Sequence, residues 1–120
     1  MKNTTLVLGA STNPIRYSFM AIHKLRNHNK KVVAIGAKED KVLDVPIVTE
    51  KVAFDTIDTV TMYLSPKNQK EYYDYILSLQ PRRVIFNPGT ENHELMELLR
   101  ENNIEVEVAC TLVLLNLGQY

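Results

Sequence analysis

Thr5-Leu6-Val7-Leu8-Gly9-Ala10-Ser11-Thr12-Asn13-Pro14-Ile15-Arg16-Tyr17-Ser18 is the stretch on which the fold of this chain turns. Thr5–Gly9 is a short apolar run, partly β-branched, that stops at a glycine. A strand that is apolar on both faces belongs in a parallel sheet covered on both sides. The polar segment that follows opens a helix. Phe19, Ile22 and Leu25 come next at helical spacing, with His23, Lys24 and Arg26 between them.

The same alternation runs on through the chain. Lys31–Gly36 is a second apolar strand ending at a glycine. Residues 37–58 are mixed, with one short strand candidate at Val45–Thr49. Thr59–Leu64 is a strand; Ser65 is suited to cap the following helix and Pro66 to its first turn. Tyr72, Tyr75, Ile76 and Leu79 sit at i, i+3, i+4 and i+7, an amphipathic pattern stopped by Pro81. Arg83–Asn87 is the next strand, with Arg82 and Arg83 expected at its solvated start. Thr90 is expected to cap a helix with Leu95, Leu98 and Leu99 inward, closed by Asn102-Asn103. Ile104–Ala109 is the last strand, and Thr111–Leu117 a closing helix. The expected fold is α/β, a Rossmann-like three-layer sandwich around a mostly parallel five-stranded sheet.

Composition agrees with one such domain spanning residues 1–120. Apolar residues are 45% and charged residues 23%, the mix of a globular chain with a core of its own. Lys plus Arg and Asp plus Glu are 14 each, which argues against a nucleic-acid or membrane-surface binder. Cys110 is the single cysteine, so neither an intrachain disulfide nor a cysteine metal cluster is open to it, and no metal site is expected. No apolar run approaches the roughly 18 residues of a membrane span, and Met1–Leu6 runs into a strand rather than a signal sequence. A cytoplasmic location is expected.

In doubly wound sheets ligands bind beyond the carboxyl ends of the strands. The loops Gly9–Ser18, Gly36–Asp40, Ser65–Pro66, Asn87–Asn92 and Cys110–Thr111 are therefore the places to look. In the first, Gly9 and Ala10 let backbone approach a phosphate, the helix start favours an anion, Ser11 and Ser18 add hydroxyls, and Arg16 adds a guanidinium. With one glycine this is neither G-x-G-x-x-G nor a P-loop. Its bland counterpart is a tight turn with Ser18 as cap and Arg16 in solvent. The second strand ends Ile35-Gly36-Ala37-Lys38, without the acidic residue that holds the ribose of NAD. A lysine there suits a ribose phosphate, as in NADP or coenzyme A. A receiver domain is set aside because the first strand ends without a carboxylate.

Catalytic groups are not evident. His23, His28 and His93 are expected as surface or packing histidines, and Tyr72, Tyr73 and Tyr75 as packing and rim. Cys110 precedes a short helix, where a thiol is activated, and its alternative is a small inert core residue.

Taken together, the loops resemble the CoA-binding domain family. This family includes small stand-alone CoA-binding proteins and the N-terminal domain of the succinyl-CoA synthetase α subunit. Gly9-Ala10-Ser11, Pro14, Arg16, Ser18 and Ala21 look like its opening signature, and Ile35–Lys38 is similar to its second-strand loop. Tyr63-Leu64-Ser65-Pro66 matches its adenine-flanking loop, Asn87-Pro88-Gly89-Thr90-Glu91-Asn92 its glycine loop, and Cys110 the cysteine that ends its last strand. Stand-alone members often carry an Asn-Pro turn where this chain has Gly36-Ala37-Lys38. The resemblance spans about Thr5 to Thr111 and implies binding of CoA or an acyl-CoA. It does not imply ligase chemistry, which needs a further domain and subunit. On this reading Arg16 takes the pyrophosphate, Lys38 the 3′-phosphate, and Ile35 and Leu64 sandwich adenine. The pantetheine arm runs toward Asn87, Pro88 and Gly89 or toward Cys110. An NADP-binding module or small reductase is the first alternative, and a ligand-free interaction domain the second. A homodimer or a protein partner stays open.

Overall fold

The computed structural model describes residues 2–120. Seven strands form one sheet in the order β3-β4-β2-β1-β5-β6-β7. They are β1 (Thr4–Ala10), β2 (Lys31–Gly36), β3 (Asp40–Val42), β4 (Val45–Val48), β5 (Ile57–Met62), β6 (Arg83–Phe86) and β7 (Glu105–Val108). All pairs are parallel except β3 with β4. The five-strand expectation is corrected upward to seven. The Val45–Thr49 candidate becomes β4, and Asp40–Val42 folds back on it as the added edge strand β3. The turn between them is Leu43-Asp44, with Leu43 at φ 54. Such turns normally advertise themselves with Asn-Gly or Asp-Gly, and a leucine in the left-handed region gives no such signal.

Helices cover both faces. On one side lie α1 (Tyr17–Asn27) and α5 (Thr111–Asn116). Their Ile22, Leu25 and Leu115 pack with Val7, Ala34, Val45 and Ile47. On the other side lie α3 (Tyr73–Leu79) and α4 (His93–Glu101). Their Ile76, Leu79, Leu95 and Leu99 meet Leu6, Leu8, Val60, Met62, Val84 and Phe86. The alternate residues of each central strand feed the two cores, which is why these strands are apolar throughout. The chain winds from β1 through α1 to β2 on one side, then returns past β1 to β5 and winds the other way. With crossovers of one hand, that reversal places α1 and the α3–α4 pair on opposite faces. It also puts the switch point between β1 and β5.

Three local expectations are corrected. The helix after Ser65 is not continuous: α2 (Pro66–Gln69) passes through a 3-10 turn, Lys70–Tyr72, into α3. Gln69 is wholly buried, and its amide donates to the carbonyls of Leu64 and Thr90, both at 2.8 Å. The capture of that side chain below the loops accompanies the change of helical pitch. The cap of α4 is Asn92, whose Oδ1 accepts from the Leu95 amide at 3.3 Å. Thr90 instead turns its hydroxyl back to the Asn87 carbonyl at 2.7 Å. Arg83 is not solvated. It is 5% exposed, bonded to Thr59 Oγ1 at 3.0 Å and Glu107 at 2.9 Å, with its guanidinium 4.6 Å from the centre of the Tyr120 ring. A buried guanidinium needs partners of this kind, and the carboxylate comes from the neighbouring strand.

Candidate functional site

The cleft begins with a defect at the end of β1. Leu8 pairs with Ile35 and Ala10 with Gly36, so Gly9 is the extra residue of a bulge. Gly9 has φ 98, and a β-carbon there would sit 3.0 Å from the Tyr63 carbonyl carbon and 3.1 Å from the Leu64 amide nitrogen. The backbones after β1 and β5 therefore approach each other so closely that only glycine fits. Gly36 has a different reason. A β-carbon on it would lie 2.4 Å from the Ala10 carbonyl oxygen and 2.9 Å from Ile47 Cγ2. The two glycines allow three loops to meet at the top of the sheet.

Above them lies an open cleft of about 790 Å³. Residues 9–13 and Arg16–Ser18 form one wall, with Ala37, Lys38, Asp40 and Ile47 on the β2–β4 side. Tyr63, Leu64, Ser65 and Asn68 follow β5, and Pro88, Gly89 and Thr90 follow β6. Ten of the sequence-derived positions are brought together here: Gly9, Ala10, Ser11, Arg16, Ser18, Lys38, Leu64, Ser65, Pro88 and Gly89.

The first loop is shaped by its own side chains. Ser11 Oγ accepts from the Asn13 amide at 3.0 Å, and Asn13 Oδ1 from the Ile15 amide at 3.2 Å. Arg16, not Ser18, is the residue before α1; no side chain caps this helix and no acidic residue stands in its first turn. The positive end of α1 is thus left to face the cleft, with the exposed Arg16 beside it. Ser18 is buried at 4% exposure one position into the helix. Lys38 is exposed across the cleft. These two cations stand on different loops, over different strands.

Four positions do not line the cleft. Ile35 is wholly buried among the residues below α3 and α4 and has no surface to offer; Ile47, itself 3% exposed, borders the cleft from the β4 side. Gly36 acts from beneath, as the close approach described above. Asn87 is 2% exposed and works as a tie: its amide donates to Thr61 Oγ1 at 2.7 Å and the Met62 carbonyl at 2.9 Å, and its Oδ1 accepts from the Thr111 amide at 2.8 Å. One side chain thereby joins β5, β6 and the start of α5. Cys110 is half-buried at the head of that six-residue helix.

The sequence reading had Tyr63 only within its adenine-flanking segment and Asp40 only as the end of a loop, and did not single out Asn68 or Ile47. Tyr63 is the most informative of them. Burial pushes its phenol up to about 12. The nearby hydroxyls of Thr61 and Thr111 bond each other at 2.8 Å, and no group completes a hydrogen bond to Tyr63 Oη. Tyr63 borders the cleft, and its side chain packs on the core beneath α1 and α5 with the hydroxyl in the interior. Among the described residues no three His, Cys, Asp or Glu side chains gather as a metal ion requires, and no helix is long and apolar enough to cross a membrane.

A family profile for the CoA binding domain matches residues 3–116. This chain belongs to that family. Its Rossmann-like doubly wound sheet is the fold expected of a member. Among solved structures, a crystal structure of an uncharacterized protein is 46% identical, with a TM-score of 0.96 over 100% of this chain and 99% of its own. A Pyrococcus horikoshii hypothetical protein is 26% identical, with a TM-score of 0.81 over 93% of this chain and 80% of its own. A Thermus thermophilus protein at 21% identity and a TM-score of 0.87 shares the fold, over 99% of this chain and 91% of its own. No curated protein matches. Membership of the family implies a small-molecule ligand related to CoA.

Proposed function

We propose that this protein binds coenzyme A or an acyl-CoA in the cleft and performs no chemistry of its own, acting in the cytoplasm as a single-domain carrier or sensor. The observation that carries this reading is the pair of separated cations. Arg16 stands at the uncapped start of α1 and Lys38 over the neighbouring strand, both on one cleft. CoA carries a pyrophosphate and a ribose 3′-phosphate, and so asks for two such positions. The pyrophosphate lies over Gly9–Ser11 with Arg16, where the helix end and close backbone favour it. The 3′-phosphate meets Lys38. Adenine lies against Leu64 and the Ile47 side of the cleft, and pantetheine crosses toward Pro88 and Gly89.

Calorimetric titration of the folded protein with CoA and with NADP at matched concentrations tests the reading. A micromolar CoA signal without an NADP signal is the expected result. Equal signals would favour the NADP alternative, since both ligands carry a pyrophosphate and a ribose phosphate. Silence for both would favour a ligand-free interaction domain.

A further inference from the structure

β5 and β6 pair as far as Met62 and Phe86. Beyond that rung the two strands give way to walls of the cleft, Tyr63, Leu64 and Ser65 on one side and Pro88, Gly89 and Thr90 on the other. Side-chain amides take over from the backbone there. Asn87 reaches the Met62 carbonyl at the level of the last rung. Higher up, Gln69 Nε2 donates to the carbonyl of Leu64 and to that of Thr90, both at 2.8 Å. Its Oε1 accepts from Asn92 Nδ2 at 2.9 Å, so the amide is fixed end for end. Asn92 Nδ2 also donates to the Tyr73 hydroxyl at 2.9 Å. Gln69 is wholly buried and lies outside the cleft lining.

A buried primary amide is costly unless its two hydrogens and its oxygen are bonded, and here all three are. An apolar side chain of the same length would fill the space and leave both wall carbonyls without this donor. The NH2 fork holds the two carbonyl oxygens roughly 5 Å apart, the spacing of neighbouring strands. It thereby continues the β5–β6 separation into the walls of the cleft. We propose that Gln69 is a positioning residue: without touching ligand, it sets the distance between the Leu64 wall and the Thr90 wall, and through it the affinity for a ligand that spans them. This rests on the CoA reading above, in which adenine lies against Leu64 and pantetheine crosses toward Pro88 and Gly89. Walls already at the spacing of the complex need no ordering when ligand arrives, whereas walls left loose are ordered at the expense of affinity.

The test is calorimetry with CoA on the wild-type chain, Gln69→Glu and Asn92→Asp, with folding checked by circular dichroism. Each affinity is read relative to wild type at the same pH, so that titration of the ligand cancels. Glutamate keeps the size of the side chain and replaces the donor. Protonated, it still gives one O–H to a wall carbonyl; ionised, it sets a negative charge against both. Burial and the two carbonyls raise its titration toward neutral pH or above. Gln69→Glu therefore binds CoA within about threefold of wild type at about pH 6, and more weakly by roughly tenfold at about pH 9, the equivalent of one net hydrogen bond. Asn92→Asp keeps an oxygen for the Leu95 amide at the head of α4, offers Gln69 Oε1 no donor, and draws the Gln69 NH2 group away from the walls. It weakens CoA by roughly threefold at neutral pH, although Asn92 lies outside the cleft lining. Wild-type affinity in Asn92→Asp overturns the proposal, and decides alone if Gln69→Glu unfolds at the higher pH. So does a Gln69→Glu deficit that is the same at both pH values, which is what lost packing by itself would give. Absence of CoA binding by the wild type refutes the CoA reading itself, and the proposal with it.

Discussion

Gly36→Ala is a one-methyl change whose effect follows from two distances. The added β-carbon falls 2.4 Å from the Ala10 carbonyl oxygen, about 1 Å short of ordinary van der Waals contact, and 2.9 Å from Ile47 Cγ2. Ile47 can move its methyl, but the carbonyl belongs to paired backbone: Ala10 is the register partner of Gly36 at the top of β1 and β2. The two strands must part where the cleft floor is built. Overpacking of this kind costs about 3 kcal/mol when backbone has to yield. Gly36 does not lie in the left-handed region, so alanine recovers about 0.5–1 kcal/mol through the unfolded chain. The net destabilisation is about 2 kcal/mol, which for a chain of this length lowers Tm by roughly 8 °C. Urea unfolding followed by circular dichroism reads it as a fall in midpoint at constant slope. Gly89→Ala is the matched control: its β-carbon meets nothing within 4 Å, so only the backbone strain of φ 91 remains, about 1 kcal/mol. If Gly36→Ala unfolds within about 0.5 kcal/mol of wild type, the close approach of β1 and β2 described above is wrong.

Four further outcomes are expected. Arg16→Ala weakens CoA and 3′-dephospho-CoA alike, whereas Lys38→Ala weakens CoA and hardly changes 3′-dephospho-CoA; each lost contact is about 10- to 150-fold by calorimetry. Asn87→Ala leaves the Thr111 amide without its buried acceptor and removes two more hydrogen bonds, lowering unfolding free energy by about 2–4 kcal/mol in urea. Tyr63→Phe deletes a buried hydroxyl that has no partner, so it should raise the unfolding free energy measured in urea by about 1 kcal/mol; a loss of stability would show that the hydroxyl is bonded in solution. Burial raises the Asp58 carboxyl, but hydrogen bonds from Arg82 and Thr59 outweigh it and hold the group below its ordinary value. Its contribution is present at neutral pH and fades as pH falls through the folded value, below about pH 4. Asp58→Asn should accordingly narrow the difference in urea midpoint between pH 7 and pH 3.

The sequence carried the sheet because buried parallel strands are written in it without ambiguity. Thr5–Gly9, Lys31–Gly36, Thr59–Leu64 and Arg83–Asn87 are apolar runs that meet helices on both sides, and each is a strand in the fold to within two residues at either end. Asn103 ends α4 in the left-handed region, as its side chain permits. Edges and caps were harder to read. The β3–β4 turn uses Leu43 where composition alone would ask for glycine or asparagine. Thr90 and Asn92 are both competent caps, and only the pull of the Asn87 carbonyl on the Thr90 hydroxyl decides between them. Arg83 beside Arg82 looks like a solvated pair until Glu107 and Tyr120 are brought over it by β7 and the chain end.

For the cleft, the residue types and their order after successive strands are local properties, and the sequence by itself determined them: a glycine turn with an arginine after β1, a lysine after β2, a second glycine loop after β6. Which of those residues share a surface depends on distances across the sheet that no local pattern encodes. The tertiary structure alone decided that Ile35 is sealed beneath helices while Ile47 borders the cleft. It likewise turned Asn87 from a ligand candidate into a tie between strands, and placed the carboxylate of Glu91 on the amide of Gly89. The physical reason is that burial and hydrogen-bond partners come from strands far apart in the chain, and they are set only when the sheet closes between its two layers of helices.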